Sequence, residues 1–231
     1  PAIAAVIPAA GVGQRMQADK PKQYLRLHGK TVLEHSVQPL LSLESVGQLY
    51  LALSADDPYF AATGLTDPRI IRVEGGAERV HSVLNALQQI DTARYPWVLV
   101  HDAARPCVAV ENLYALVNQA VHRNQSAILA IPVRDTLKRV ETQQQIQTTV
   151  DRAQLWQAQT PQMARLGELK RAIEQALVQE VNITDEASAL EHGGYPVQVV
   201  QGRSDNIKIT YPDDLELARL ILQAQHAATT A

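Results

Sequence analysis

The sequence predicts an α/β fold: a mostly parallel sheet with helices on both faces. Short apolar runs bounded by turn residues alternate along the chain with longer stretches whose apolar positions recur at helical spacing. No internal repeat and no linker interrupts that alternation, so residues 1–231 read as a single domain. The first run, Ala2-Ile-Ala-Ala-Val-Ile7, is too short for a helix and meets Pro8 and a glycine loop at once, which marks a buried strand. Over residues 31–43, Val32, Leu33, Val37, Leu40 and Leu41 share a helical face, and Pro39 is expected to bend that helix or end it early. Strands follow at 48–53 and 70–73. Gly75-Gly76 then leads into a helix around 80–90, with Val83, Leu84 and Leu87 on one face. Residues 97–101 form another buried strand, 112–122 a helix and 127–131 a strand.

The pattern breaks over residues 132–154. Here 135–140 and 146–151 read as two strands of a hairpin rich in Thr, Gln and Arg, poor material for a core. A lone hairpin is only marginally stable in water, so it is expected to lean on a partner subunit as a projecting arm. Beyond it, 165–178 and 186–192 read as helices, 197–201 and 206–210 as strands, and 212–226 as a closing helix with Pro212 in its first turn.

Composition narrows the classes of function. With 46% hydrophobic and 19% charged residues among 231, the chain can bury a large core, which excludes a disordered or low-complexity protein. Its formal net charge of −3 argues against a general nucleic-acid binder, which needs a positive surplus. The longest apolar stretch, residues 2–10, contains Pro8 and falls well short of the roughly 20 residues of a membrane span. No basic segment precedes it, so it does not read as a secretion signal. The single cysteine, Cys107, suits a reducing cytoplasm and cannot build a cysteine metal cluster.

In such sheets, ligands bind at the carboxyl ends of the strands, which points to the loops after Ile7, Val73 and His101. The first reads Pro8-Ala-Ala-Gly11-Val-Gly13-Gln-Arg15-Met16 and continues to Asp19-Lys20-Pro21-Lys22-Gln23. It lacks the Gly-Lys-Ser/Thr of a Walker loop, and Met16 stands where the dinucleotide fingerprint has its third glycine. Small residues after a strand let backbone N–H groups approach anionic oxygens, and Arg15 and Lys22 add two cations suited to a polyphosphate. A glycine turn with solvated basic side chains explains the loop equally well; Lys20 is read in that way. The second loop, Glu74-Gly-Gly-Ala-Glu-Arg79 with Ser82 beyond it, is either a backbone cradle for a base or phosphate or an ordinary tight turn. In the third, His101-Asp-Ala-Ala-Arg-Pro106, Asp102 is placed to hold a hydroxyl or a magnesium ion, or else to cap a turn and pair with Arg105. His101 reads as a packed strand-end residue.

Near the C-terminus, Asp205-Asn-Ile-Lys-Ile-Thr210 alternates as a strand would, with Asn206, Lys208 and Thr210 on one face and Asp205 on the other. Lys208 there needs an anionic partner, a bound phosphate or a carboxylate. Thr184-Asp185-Glu186 reads as a helix N-cap with acids on the helix dipole. On the arm, Thr136, Arg139 and Arg152 can reach an anion, or simply keep an exposed hairpin soluble.

Together these segments resemble the 2-C-methyl-D-erythritol 4-phosphate cytidylyltransferase family of the non-mevalonate isoprenoid pathway. The match is carried by the first loop with Pro21-Lys-Gln23, by Val100-His-Asp-Ala-Ala-Arg-Pro106, Val150-Asp-Arg152, Thr184-Asp-Glu-Ala-Ser188 and Asp205-Asn-Ile-Lys208. It runs essentially end to end, with similar order and spacing. The first loop alone suggests only the broader nucleotidyltransferase class.

The resemblance implies a Rossmann-like α/β domain of nucleotidyltransferase type whose arm interlocks two subunits as a homodimer. It implies transfer of CMP from CTP to methylerythritol phosphate, with Mg²⁺ as cofactor and pyrophosphate released. Arg15 and Lys22 match the family's pair that stabilises the pentacovalent phosphorus. Lys208 and, from the partner's arm, Arg152 match residues that position the alditol phosphate, and Thr136 an arm residue that binds the same phosphate. Ala9, Ala10, Gly11, Gly76 and Ser82 match contacts to cytosine and ribose, with Ala103 near the ribose. Asp102, Arg105, Thr184 and Asp205 fall where the polyol is recognised. No direct metal ligand is identified: the ion is expected to be held mainly by CTP, with Asp102 within the set of candidates. Ala77 departs from the acidic residue some members carry, which a backbone contact survives and a side-chain contact does not. Two other functions compete: a cytidylyltransferase for another alditol phosphate such as ribitol 5-phosphate, and a non-catalytic nucleotide-binding regulator, which has no need of the full cation set.

Overall fold

The first strand, β1 (Ile3–Pro8), has no exposed surface from Ile3 to Ile7. Its alternation serves both faces at once: Ile3, Ala5 and Ile7 belong to one hydrophobic cluster, Ala4 and Val6 to another. This is the computed structural model of the chain, and it describes residues 1–11 and 14–230. Val12 and Gly13 of the first loop lie outside the described residues.

A two-stranded ribbon, β2 (Arg26–Leu27) and β3 (Lys30–Thr31), leads into α1 (Val32–Leu41). A capping box starts this helix. Thr31 Oγ1 accepts from the Glu34 amide at 3.1 Å, and the Glu34 carboxylate accepts the Thr31 amide in return. The helix runs through Pro39 and stops two residues later, near the expected end. Then come β4 (Val46–Leu53), β5 (Ile70–Glu74), α2 (Arg79–Gln88), β6 (Trp97–Val100), α3 (Val110–Arg123) and β7 (Ser126–Pro132). The arm is the hairpin β8 (Leu137–Val140) and β9 (Ile146–Val150). After it come β10 (Trp156–Arg165), α4 (Leu166–Val178), α5 (Glu186–His192), β11 (Val197–Gln201) and α6 (Pro212–Thr230).

Seven strands form one sheet in the order β11-β7-β10-β6-β1-β4-β5. All neighbours are parallel except β10, which runs antiparallel to both β6 and β7. Helices α1 and α3 pack on one face through Leu33, Val37, Leu113 and Leu116. Helices α2, α4 and α5 cover the other through Val83, Leu87, Leu169 and Leu190. The mostly parallel, doubly covered sheet is as the sequence implies. From β1 the chain steps to β4 and β5 on one side, then returns to β6 on the other, so the order reverses between β1 and β6. That crevice is where an open α/β sheet binds ligands.

Two segments differ from the sequence reading. Strand β10 was not expected, because its centre is polar: Gln159, Thr160 and Gln162 are buried in the sheet. Their partners explain this. Gln162 donates to Asp185 Oδ2 and Gln159 O and accepts the Ala187 amide, while Thr160 Oγ1 accepts the Asp102 amide. Conversely, residues 206–210 are not a strand. The Asn206 carbonyl accepts Arg105 Nη1 at 2.7 Å and the Ile209 amide donates to Ala104 O at 2.8 Å, so the segment is tied to the third loop and joins no ladder.

The arm is exposed on both strands, with Val140 48% and Ile146 64% accessible. Among the described residues no helix is long and apolar enough to cross a membrane.

Candidate active site

A cavity of about 450 Å³ opens at the carboxyl ends of β1, β5 and β6, and all three anticipated loops line it. The first loop is held from behind. Gln23 Nε2 donates to the carbonyls of Ala9 at 2.9 Å and Gly11 at 3.0 Å, and Ser54 Oγ donates to Ala10 O at 3.1 Å. Those carbonyls are thereby oriented, which fixes how the loop backbone faces the cavity. In the second loop the Gly76 amide donates to Ser82 Oγ at 3.0 Å. A Cβ at Gly75 would collide with the Ala10 side chain, and one at Gly76 with His81, so both glycines are required by close approach. Ala9, Ala10, Gly11, Gly76, Ser82 and Ala103 all line the cavity.

Three of the four expected cations converge there: Arg15, Lys22 and Lys208. Arg15 is exposed, with its guanidinium 5.8 Å from the centre of the Tyr211 ring. Burial, then the Lys208 and Arg15 charges, hold the Lys22 ammonium below its ordinary value; Asp102 and Asp214 oppose them. Lys208 Nζ stands 3.6 Å from Asp102 Oδ2, so its anionic partner here is a carboxylate.

Asp102 is the electrostatic centre of the site. Its side chain is 9% exposed and meets Arg79 Nη2 at 3.0 Å, Arg105 Nε at 3.3 Å and Lys208. Burial alone would raise its carboxyl, but Arg79, Lys208 and Arg105, in that order, hold it well below the usual carboxylate range. Beside it His101 is fully buried, and burial pushes it down to about 4. Its Nε2 sits 3.0 Å from the Arg105 carbonyl, which can only accept, so Nε2 carries the proton; Nδ1 then accepts the Thr160 hydroxyl at 2.8 Å. Both ring nitrogens are engaged, so His101 is a packed strand-end residue, as read from the sequence.

The remaining expected residues do not line this cavity. Arg105 is turned to Asp102 and Asn206 O, where it anchors the 206–210 segment. Asp205 pairs with Arg203 at 2.9 Å. Thr184 borders a separate cavity of about 70 Å³ with Arg79 and Glu186. Thr136 and Arg152 are exposed on and beside the arm. Lys208 and Thr210 share the cavity, but Asn206 does not share their face: it is buried and donates to Thr160 O. Asp185 caps α5 and Glu186 stands in its first turn, as expected; Glu186 is in addition buried against Arg79.

Arg79 and Gln23 are the residues that sequence reasoning passed over. The one weak signal for Arg79 was its position immediately after the glycine loop. For a metal, the donor set is sparse: Asp102 and Glu78 are the carboxylates at the cavity, and no group of three His, Cys, Asp or Glu side chains gathers among the described residues. With both Asp102 oxygens engaged by cations, the site fits an ion brought in on phosphate oxygens rather than one held in a protein cage.

A glycine loop after β1, cations from distant segments and a cavity at the sheet's switch point define a nucleotidyltransferase site. The sequence profile of the 2-C-methyl-D-erythritol 4-phosphate cytidylyltransferase family matches residues 3–224. A protein of that name from Acinetobacter baumannii (strain SDF) is 57% identical over 225 residues, spanning 96% of this chain and 94% of its own length. One from Vibrio atlanticus (strain LGP32) is 53% identical, spanning 95% of each. The crystal structure of the Francisella tularensis 2-C-methyl-D-erythritol 4-phosphate cytidylyltransferase superposes with a TM-score of 0.81 at 37% identity, covering 96% of this chain and 100% of that one. The chain belongs to the 2-C-methyl-D-erythritol 4-phosphate cytidylyltransferase family. It is a cytidylyltransferase that makes 4-diphosphocytidyl-2-C-methyl-D-erythritol from CTP and the alditol phosphate, and the ribitol-phosphate alternative is not favoured. Enzymes of this class generally depend on a metal ion.

Proposed function

We propose that the 450 Å³ cavity binds CTP and that the alditol phosphate enters beside Asp102 and Lys208, so that its phosphate oxygen attacks the α-phosphorus in line. The O–P bond forms as the bond from the α-phosphorus to the leaving pyrophosphate breaks, and no covalent enzyme intermediate is needed. Cytosine and ribose lie against Ala9, Ala10, Gly11, Gly76, Ser82 and Ala103. The oriented backbone of the two glycine loops reads them, and a backbone contact at Ala77 needs no acidic side chain. Arg15 and Lys22 stabilise the charge that builds on the equatorial oxygens and on the leaving group. Lys208 holds the attacking phosphate, and Asp102 accepts from the polyol hydroxyls.

The observation that carries this reading is the convergence of Arg15, Lys22 and Lys208 on one cavity, with Lys22 depressed by burial and by the other two. Three cations gathered around one shared carboxylate leave a positive surplus suited to a polyphosphate. Mg²⁺ would be held mainly by the CTP phosphates, with Asp102 the candidate protein carboxylate, and would neutralise phosphate charge there. Arg105, Thr184 and Asp205 support the polyol side from outside the cavity wall.

The arm supplies what one chain lacks. Thr136 and Arg152 do not line the cavity of their own chain, and the exposed apolar residues Val140 and Ile146 give the hairpin a face to bury. The functional unit is a homodimer in which residues 132–154 cross over, so that Arg152 of the partner subunit completes the alditol-phosphate site. Within each subunit, residues 1–231 act as one domain. A reducing cytoplasm suits Cys107, which is buried with its thiol pushed up to about 12.

Pyrophosphate release measured with CTP and with UTP, each against methylerythritol phosphate and ribitol 5-phosphate, tests the reading. Turnover is expected with CTP and methylerythritol phosphate. Equal turnover with ribitol 5-phosphate would overturn the alditol assignment, and CTP binding without turnover would make the protein a regulator.

A further inference from the structure

Arg79 opens α2 directly after the second glycine loop, and its guanidinium bridges two carboxylates from different parts of the fold. Nη1 and Nη2 donate to Glu186 Oε1 and Oε2 at 2.7 and 3.2 Å, a two-pronged grip on a side chain only 2% exposed. Nε and Nη2 meet a single oxygen of Asp102, Oδ1, at 3.1 and 3.0 Å. The other oxygen, Oδ2, takes Arg105 Nε at 3.3 Å and faces Lys208 at 3.6 Å.

We propose that Arg79, fixed by Glu186, is a positioning residue: it locks the rotation of the Asp102 carboxylate and so keeps Lys208 available to the alditol phosphate. The inference rests on the assignment of Asp102 and Lys208 to that substrate. With Oδ1 pinned, only one oxygen faces Lys208, and at a separation longer than a direct hydrogen bond. The ammonium therefore stays loosely paired and 42% exposed toward the cavity. If the guanidinium is withdrawn, the carboxylate turns, closes both oxygens on Lys208 and Arg105, and withdraws the lysine charge from the substrate. Arginine is needed because one planar fork serves both carboxylates in a fixed geometry, which a lysine point charge does not. Glu186 is needed because a guanidinium held only by Asp102 would move with it instead of fixing it.

The test is a kinetic double-mutant cycle on R79K, E186Q and D102N, with KM measured separately for CTP and for methylerythritol phosphate. R79K is expected to raise the KM for the alditol phosphate about tenfold and leave that for CTP within about twofold, and E186Q to act in the same direction by about threefold. Combined with D102N, either change is expected to add less than about twofold, because its route through Asp102 is gone. An equal rise in both KM values, no rise at all, or full additivity in the D102N background would each overturn the proposal. If D102N by itself leaves the alditol-phosphate KM unchanged, it is the substrate assignment that fails. Thermal unfolding of each variant is recorded alongside. Should R79K fail to fold, the E186Q and D102N cycle decides alone by the same criterion.

Discussion

Replacing Lys22 with methionine separates what this side chain does for catalysis from what it costs the fold. Methionine keeps an apolar stem of similar length and removes the charge. In the free protein Lys22 is held below the ordinary lysine value by burial, then by Lys208 and Arg15. Between that lowered value and the ordinary one, the unfolded chain binds more protons than the folded chain, so stability rises with pH across that window. Lys22→Met removes the climb, and at about pH 7 the variant is expected to be at least as stable as the parent in urea unfolding. Turnover moves the other way. Loss of one preorganised charge at a transferring phosphoryl group costs about 10² to 10³ in rate, or about 3 to 4 kcal/mol of transition-state stabilisation. Arg15 and Lys208 remain in the cavity, so substrate binding survives, and the loss falls on kcat more than on the KM for CTP. Pyrophosphate release at saturating substrates gives the first quantity, and urea midpoints at about pH 7 and pH 10 give the second. A variant that turns over within about tenfold of the parent, or that loses about 2 kcal/mol at pH 7, would refute the argument, since Lys22 would then be a packing residue.

Other parts of the site lead to equally direct expectations. Gln23→Leu removes two hydrogen bonds to the first loop, at 2.9 and 3.0 Å, and should cost about 1 to 3 kcal/mol in urea unfolding. It should also raise the KM for CTP while sparing that for the alditol phosphate; the reverse pattern would detach Gln23 from the nucleotide. His101 is neutral in the fold, with its value lowered from 6.5 to about 4, so its contribution is fully present above pH 6.5 and is lost as pH falls through about 4. The loss amounts to about 3 kcal/mol across that window, and a His101→Gln variant should show a flatter acid limb. Mixed dimers of Lys22→Met and Arg152→Ala protomers should recover activity in one of their two sites, and the protein should sediment as a dimer. A fully active monomer, or stable mixed dimers without activity, would place Arg152 in its own subunit's site.

The framework of this fold was legible because its buried strands are plain apolar runs. Residues 2–7, 48–53 and 97–101 are each bounded by a turn signal, and burial on both faces leaves no polar alternation to confuse the reading. Strand β10 escaped for the opposite reason. Its Thr160 and Gln162 read as surface residues until Asp185, Ala187 and His101 are seen to satisfy them, and those partners are remote in sequence or on other elements. The 206–210 segment shows the converse error: strand-like alternation is present, but its backbone is claimed by Arg105 and Ala104. In the site, the expected residues on loops directly after strands line the cavity, except Arg105, which turns to Asp102 and Asn206 O. Arg79 was not legible, because an arginine beside Glu78 at a helix start looks solvated, and nothing local announces a carboxylate 107 positions further on.

The geometry of Asp102 explains how such a site tolerates its own charge. Arg15, Lys22, Arg79 and Lys208 line one cavity, with Arg105 beside them, and mutual repulsion favours driving the lysines apart into solvent. Glu186 shares Arg79 with Asp102, and among the described residues Asp102 is the carboxylate that pairs with both Arg105 and Lys208. One carboxylate shared among several cations gathers the positive charge without cancelling it. In the proposed reaction the substrates themselves supply the remaining negative charge, at the phosphorus where it is needed.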